Sequence, residues 1–300
     1  MLHRYILHND AICPASTPAL SADQAGLLSG WGVFSTLRVS DGVLFAWERH
    51  WARITRDAAA FHVPLPADSE KVRAKLLELI EANGAYNSTL RLVIVRNGGG
   101  AWANPAPPRA SDVIALTADT KDWGDSVKLA CQPNGRHAAS PFSGTKILSW
   151  SMNLTWLEQA QCRGFDEVIL LNERGEVAEC TSANIFVANG NRVLTPPLAS
   201  GPLPGITREV LLGEIHLPGI QIEEAVLTLP DLESADEVFI TSTTRDLLRV
   251  SQIEDRPCGR SDEVRHRLAA AFSDFVRRYV QMGGGLQPAR SFSSARREQP

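Results

Sequence analysis

Lys146 has a residue type and a setting that suit covalent chemistry. It lies in the segment SGTKILS, after a loop with proline, serine and glycine and just before a predicted helix. Partial desolvation at such a position would lower the pKa of the amine, which favours its neutral, nucleophilic form. A simpler interpretation stays open, because most lysines at helix starts are solvated surface groups.

Glu179 follows 33 residues later, in the segment EVAECTSANIF. The alternating pattern predicts a strand with Val177 and Glu179 on one face, and Glu176 and Ala178 on the other. If the apolar Val177 marks the inner face, the carboxylate needs a cationic partner to offset its desolvation. A protonated ring nitrogen would be such a partner, and a strand-end carboxylate in water is the alternative.

Two further segments have the features of a phosphate site. GPLPGITREVLL opens a helix near Gly205, where unpaired backbone N–H groups bind phosphate and the Thr207 hydroxyl adds a donor. ITSTTRD puts Ser242, Thr243 and Thr244 directly after a predicted buried strand. An ordinary helix N-cap and a common serine/threonine turn explain the same residues without a ligand.

The elements that must position these residues are strands and helices in alternation. In the first half, apolar periodicity predicts strands over residues 5–9, 33–39, 89–95 and 112–117, with helices over 46–61 and 68–82. An Asp41-Gly42 turn predicts a hairpin between β-like runs. In the second half, the pattern predicts strands over residues 127–131, 167–171, 177–180, 184–187 and 238–241, with helices over 150–162, from 205 and over 262–280.

This alternation predicts an α/β or α+β fold in two domains. We expect a small α/β domain over residues 1–120 and a larger domain over residues 121–282, connected near 118–123. Residues 283–300 lack core side chains, so we expect a disordered tail there.

The composition argues against several classes of function. The chain has 300 residues and a net charge of -4, and such a mild acidic balance predicts no basic face for nucleic acid. The five cysteines form no CxxC pair and the seven histidines no HExxH motif, so we expect neither a disulfide framework nor a metal site. No GxGxxG motif follows a strand, which argues against a nicotinamide dehydrogenase. No apolar run suits a signal peptide or a membrane span, so we expect a cytoplasmic protein without a membrane partner.

The order of four motifs resembles the fold-type IV (class IV) enzymes that use pyridoxal 5'-phosphate (PLP). These motifs are GTK, GFDEVILLNERGEVAECTSANIFVANGNRVLTPP, LPGITRE and ADEVFITSTT, within a match from about residue 28 to 253. The family includes branched-chain and D-amino-acid aminotransferases and aminodeoxychorismate lyase. The resemblance implies a two-domain fold like that of D-amino-acid aminotransferase, and a homodimer.

The resemblance also implies a role for each motif residue. Lys146 corresponds to the catalytic lysine that holds PLP as a Schiff base, and Glu179 to the glutamate that keeps the pyridine nitrogen protonated. Arg53, in HWARI, corresponds to an arginine that contacts the cofactor phosphate. The phosphate site would be completed by backbone amides and hydroxyls of Ile206, Thr207, Ser242 and Thr243.

The implied reaction transfers an amino group between an amino acid, branched-chain-like or D, and a 2-oxo acid. Neither the branched-chain nor the D-amino-acid aminotransferase pattern for binding the substrate carboxylate is intact. Phe34 stands where branched-chain enzymes usually have a tyrosine, and Arg91-Leu92 replaces their Arg-Pro pair. The candidates for substrate contacts are Phe34, Arg38, Arg91, Arg96, Arg136 and Thr244.

Two alternatives stay open. The segment FSTLRV and the glycine-rich turn of residues 96–100 are similar to aminodeoxychorismate lyase, which releases p-aminobenzoate and pyruvate. The STT of residues 242–244 favours a transaminase, while Ser149 departs from the asparagine usual in both. A non-catalytic PLP-binding homologue is the other alternative, and the presence of both Lys146 and Glu179 argues against it.

Overall fold

The computed structural model describes residues 1–102 and 105–283. Within these residues, two sheets carry helices on their faces, so the fold is mixed α/β, as predicted. Strands of the first sheet end at Ala118, and strands of the second begin at Ser126. The domain boundary near residue 120 stays a prediction. The predicted tail lies outside the described residues except for Gly283.

The N-terminal sheet is antiparallel throughout, with the strand order β2-β1-β6-β5-β3-β4. Its described strands are β1 (Leu2–His8), β2 (Ala11–Pro14), β3 (Gly32–Ser40), β4 (Val43–Leu44), β5 (Ser88–Arg96) and β6 (Ser111–Ala118). The predicted hairpin joins β3 to β4, and both Asp41 and Gly42 have positive φ, at 48° and 79°. This sign of φ at both central residues is the requirement of a type I′ turn.

The C-terminal sheet is mixed, with the order β12-β11-β10-β13-β14-β7-β8-β9 and β15 beside β14. Its described strands are β7 (Ser126–Gln132), β8 (Glu167–Leu171), β9 (Val177–Cys180), β10 (Asn184–Asn189), β11 (Arg192–Thr195), β12 (Gln221–Glu224), β13 (Glu237–Ser242), β14 (Asp246–Ile253) and β15 (Arg256–Pro257). Both β8 and β9 are buried along their whole length, because helices and loops cover the two faces.

The described helices are α1 (Ala25–Ser29), α2 (Trp47–Ala60), α3 (Ser69–Asn83), α4 (Ser151–Cys162), α5 (Ile206–Gly213), α6 (Leu229–Ser234) and α7 (Glu263–Gln281). Among them, no helix is both long and apolar enough to cross a membrane. α2 packs against β3, and α5 and α7 pack on the C-terminal sheet. α2 has an unusual buried face, because it contains His50, Arg53 and Asp57 beside apolar residues. Polar groups on a buried face require hydrogen-bond or ionic partners. The partners of these three side chains lie in and around the candidate site.

The predicted elements are present within a few residues of their expected bounds, and β9 matches residues 177–180. The sequence prediction missed α1, α6 and the short strands β2, β11, β12 and β15, which are too short to show periodicity. It also missed β14, whose pattern does not alternate because the neighbouring Leu247 and Leu248 are both buried.

Candidate active site

A cavity of about 250 Å³ lies between elements of the two sheets. One side consists of residues from β3, α2 and β5, and the other of residues from β9, β10, the start of α5 and the turn after β13. Ten of the residues predicted from the sequence line it: Phe34, Arg53, Arg91, Lys146, Glu179, Ile206, Thr207, Ser242, Thr243 and Thr244. Residues far apart in the chain thus meet at one site.

Lys146 lies between β7 and α4, in a segment held against β3. Its backbone N–H donates to Asp57 Oδ2 at 3.0 Å, and its carbonyl accepts from the Phe34 N–H at 3.1 Å. Its Nζ lies 4.6 Å from the ring centroid of Phe34 and 4.9 Å from that of Trp150. Burial and the positive charge of Arg53 lower the pKa of the Lys146 amine to about 7. A large fraction of the amine is therefore unprotonated at neutral pH, as a nucleophile requires.

Glu179, on β9, is buried, so the alternative of a carboxylate in water is wrong. Its Oε1 accepts from Arg136 Nε at 3.0 Å and lies 3.0 Å from Arg136 Nη2. This ion pair offsets the desolvation of the carboxylate. Its Oε2 accepts no hydrogen bond from the described residues and remains available to a donor in the cavity.

Arg53 and His50 lie on the buried face of α2 and share Ser35 of β3. Arg53 Nη2 donates to Ser35 Oγ at 2.9 Å, and Ser35 Oγ lies 2.7 Å from His50 Nδ1. Burial and the charge of Arg53 hold the pKa of His50 well below its ordinary value. His50 is therefore neutral, which lets the Ser35 hydroxyl donate to Nδ1. In this way His50 fixes Ser35, and Ser35 fixes the guanidinium.

Arg53 is a buried cation that lacks a direct anionic partner in the described part of the chain. Its Nη1 donates to the Pro204 carbonyl at 3.3 Å, and its Nε is buried without a hydrogen-bond partner among the described residues. No carboxylate of residues 1–102 or 105–283 lies within salt-bridge distance of it. Burial lowers the pKa of Arg53 to about 10, and an anion in the cavity would compensate this desolvation.

The start of α5 and the end of β13 complete this part of the cavity. Gly205 is the N-cap of α5, and a Cβ there would lie 2.1 Å from Asn184 Oδ1, so a larger residue would displace the Asn184 side chain. The first N–H groups of an α-helix have no partner within the helix. Thr207 is buried in the first turn, and Thr241 Oγ1 is buried without a hydrogen-bond partner among the described residues. These donors surround a space suited to an anion.

The structure separates the arginines proposed for the substrate carboxylate. Arg38 pairs with Asp246, and Arg136 with Glu179. Arg96 donates to the carbonyls of His62 and Gly98. None of these three arginines lines the cavity, and each guanidinium has a partner elsewhere, so their contact with the substrate stays a prediction.

Arg91 is different from those three arginines. It lines the cavity with its Cζ 4.2 Å from the ring centroid of Phe34. Neither a hydrogen bond nor an ion pair joins its side chain to the described residues. It is therefore the candidate whose charge remains available to a substrate.

Sequence reasoning missed Trp123 and Arg245, which also line the cavity. Arg245 Nη2 lies 3.1 Å from Glu167 Oε2 in a buried ion pair, and its Cζ is 3.8 Å from the ring centroid of Trp123. The hydroxyls of Thr181 and Ser182 donate to the same Glu167 carboxylate. A signal was available for Arg245, since it directly follows the predicted hydroxyl cluster. Nothing local marks Trp123, because it lies in the predicted connection between the sheets.

Known proteins share both the sequence pattern and this fold. A protein of Methanocaldococcus jannaschii, provisionally named a branched-chain-amino-acid aminotransferase, is 30% identical over 83% of this chain and 88% of its own length. A D-alanine aminotransferase of Bacillus licheniformis is 29% identical over 85% of this chain and 90% of its own length. A hypothetical aminotransferase of Mycobacterium tuberculosis, solved in a PLP-bound form, is 24% identical with a TM-score of 0.80, covering 91% of this chain and 98% of its own.

The family model for amino-transferase class IV matches residues 32–253, which include the cavity residues described above. Enzymes of this family use PLP. The predicted family and cofactor are therefore confirmed. With most of its length inside the match, this chain belongs to the class IV aminotransferases.

Proposed function

We propose that the protein is a PLP-dependent transaminase that transfers an amino group between an amino acid and a 2-oxo acid. The observation that carries the proposal is that Lys146 lies in one cavity with Glu179 and Arg53, where burial lowers the pKa of its amine to about 7. A non-catalytic PLP-binding protein would need the phosphate contacts but not this nucleophile. We expect a branched-chain-like or D-amino acid as the donor.

The residues present fit PLP. Arg53, a buried cation, would bind the phosphate together with the first amides of α5 at Ile206 and Thr207. Ser242 and Thr243 would add hydroxyl donors, and Thr241 Oγ1, which has no hydrogen-bond partner in the described part of the chain, is a further one. Glu179 Oε2 would accept from the protonated ring nitrogen. When bound, PLP supplies an electrophilic aldehyde carbon and a ring that accepts electron density from the substrate.

The side chains of this protein would then act in sequence. Lys146 Nζ, in its neutral form, removes the proton from the substrate α-carbon. The protonated amine then donates a proton back, which completes the transfer of the amino group. Glu179, held by Arg136, stays in position to bind the ring N–H. Phe34 and Trp150 contact each other edge to face, with centroids 5.7 Å apart, and shield the lysine amine from water.

Arg91 is the proposed partner of the substrate carboxylate, because its guanidinium has no carboxylate of the described residues to compensate it. It lies beside Phe34, which also contacts Lys146 Nζ. A carboxylate held there would lie near the amine that takes the α-proton. Thr244 and Phe34 are the remaining proposed substrate contacts.

We also propose that the protein forms a homodimer through an apolar surface near the cavity. Leu27 and Leu28 of α1 are exposed, as are Met152 and Leu154 of α4. The residue after α1 and a residue just before α4 are joined, because Ser149 Oγ donates to the Gly30 carbonyl at 3.1 Å. Exposed apolar side chains, when they form a contiguous patch, are typical of an interface. Analytical ultracentrifugation would test this, and a monomer at micromolar concentration would disprove it.

The test of the activity is an assay of amino donors with 2-oxoglutarate or pyruvate as the acceptor. Formation of a keto acid from L-leucine or a D-amino acid supports the transaminase and identifies its stereochemistry. The second candidate is aminodeoxychorismate lyase, which the glycine-rich turn after Arg96 favours. Release of p-aminobenzoate and pyruvate from aminodeoxychorismate, with no amino transfer, would replace the first proposal by the second.

A further inference from the structure

The segment around Lys146 belongs to no regular strand, yet its backbone is held from two sides. On one side, the Phe34 N–H of β3 donates to the Lys146 carbonyl, and the Leu148 N–H donates to the Gly32 carbonyl at 3.0 Å. On the other side, the Lys146 N–H donates to Asp57 Oδ2 of α2 at 3.0 Å. The direction in which the lysine side chain leaves the backbone therefore depends on both β3 and Asp57.

Asp57 divides its two oxygens between the lysine segment and a guanidinium. Its carboxylate is almost fully buried, at 1% residue exposure, and Oδ1 accepts from Arg56 Nε at 2.8 Å. Arg56 Nη2 also donates to the Gly144 carbonyl at 2.8 Å. The pair of Arg56 and Asp57 thus binds the segment at two points, two residues apart. Gly144, the first of these points, has a φ of 71°, a left-handed conformation that favours glycine.

Asp57 also lies one turn after Arg53 on the same buried face of α2. One rigid helix therefore carries both the arginine proposed for the phosphate and the carboxylate that holds the lysine backbone. Because Arg53 and Asp57 lie on one helix, the distance between them is fixed. A ligand that binds both Arg53 and the lysine held by Asp57 requires such a fixed distance.

We propose that Asp57 is a positioning residue for Lys146, which holds the lysine at a fixed distance from Arg53 and stabilises the charged form of its amine. The inference rests on the proposed role of Lys146 as the lysine that captures PLP. Asp57 lies outside the four sequence motifs and does not line the cavity.

Four charged groups from three elements, α2, β5 and β9, act on the Lys146 amine. Arg53 and Arg91 oppose its protonation, whereas Glu179 and Asp57 favour it, and burial lowers its pKa to about 7. Removal of the Asp57 charge should lower the pKa of Lys146 further. Asparagine retains an oxygen for the Lys146 N–H, so Asp57→Asn separates the charge from the geometry, while Asp57→Ala removes both.

The experiment measures how fast the cofactor-free protein captures added PLP at different pH values, by the absorbance of lysine-bound PLP. In the parent, the rate should rise with pH through about 7, since only the neutral amine reacts. Asp57→Asn should move this midpoint to lower pH by roughly half a unit or more, with a similar plateau rate. Asp57→Ala should also slow the plateau by about tenfold.

Asp262→Asn is the matched control, because it alters another Asp–Arg pair, on α7, that does not line the cavity. Parent-like midpoints and plateau rates in both Asp57 variants would overturn the inference. If Asp57→Ala does not fold, the pH midpoint of PLP capture by Asp57→Asn tests the inference by itself. A merely structural role of Asp57 would leave this midpoint at its parent value. Lys146→Ala is measured in parallel. If it captures PLP as the parent does, the proposed function fails, and this is distinct from a failure confined to Asp57.

Discussion

The two sides of the cavity differ in how their charged groups are compensated. On the side of the C-terminal sheet, Glu179 pairs with Arg136, and Arg245 pairs with Glu167. On the side of the N-terminal sheet, Arg53 and Arg91 line the cavity without a carboxylate of the described residues in contact. The C-terminal side therefore presents charges that are paired within the protein, whereas the N-terminal side presents a buried cation, Arg53, and a solvent-exposed one, Arg91, to an anionic ligand.

This difference suggests a division of labour between the two sides. Uncompensated cations attract the phosphate and carboxylate groups that all amino acid–PLP pairs share. Fixed pairs instead hold the groups that must not move, such as the Glu179 carboxylate. Five substitutions test this difference: one removes the lysine between the two sides, and each of the other four alters one side.

Lys146→Ala should have the largest effect, because the lysine lies between the two sides and no other side chain there replaces its amine. We expect a loss of amino transfer by about a thousandfold or more, measured as keto acid formed per unit time. Lys75→Ala, a surface lysine paired with Glu78, is the control and should retain activity. An active Lys146→Ala protein would falsify its catalytic role.

Glu167→Gln breaks a pair on the C-terminal side and should leave Arg245 as an uncompensated buried cation. We expect the free energy of unfolding in urea to fall by about 3 kcal/mol. Glu233→Gln breaks an exposed pair with Arg256 and should change it by less than about 1 kcal/mol. If both variants lowered the free energy of unfolding by equally small amounts, the buried ion pair on the C-terminal side would not contribute to stability.

Arg53→Gln removes a cation from the N-terminal side. The affinity for PLP should weaken by about thirtyfold, because a buried, charge-assisted bond to phosphate is lost. Fluorescence titration of the cofactor-free protein measures this dissociation constant. Arg49→Gln, on the same helix but paired with Glu209 and Glu214, serves as the control. Unchanged affinity in Arg53→Gln would place the phosphate elsewhere.

Arg91→Gln should affect the substrate rather than the cofactor. We expect the KM for the amino donor to rise by about tenfold, with the affinity for PLP nearly unchanged. Arg38→Gln is the matched control, since Arg38 pairs with Asp246 outside the cavity. If both arginine variants have the KM of the parent, another group binds the carboxylate.

Ser35→Ala should have the smallest effect, because it leaves Arg53 in place without its acceptor. The affinity for PLP should weaken by about threefold. Since burial holds the pKa of His50 well below its ordinary value, the affinity measured between pH 6 and pH 8 should not depend on the titration of His50. A change in affinity across that range in the parent, absent from His50→Asn, would contradict the neutral histidine.

The sequence predicted the parts of the site that repeat a local pattern. Lys146, Glu179 and the start of α5 lie in motifs whose order alone suggested one ligand, and all line the cavity. The sequence did not distinguish Arg91 from Arg38, because both lie in predicted strands with similar neighbours. Only the fold brings Asp246 to Arg38, across 208 residues, and leaves Arg91 without a carboxylate partner in the described chain.

For Lys146, some properties follow from the sequence and others only from the tertiary structure. The sequence by itself determined the family and the cofactor, because these depend on residue types and their order along the chain. Only the tertiary structure decided that the amine loses its proton near pH 7 and that Asp57 holds its backbone. Burial and charge depend on distances between residues that are remote in sequence, and those distances exist only in the folded chain.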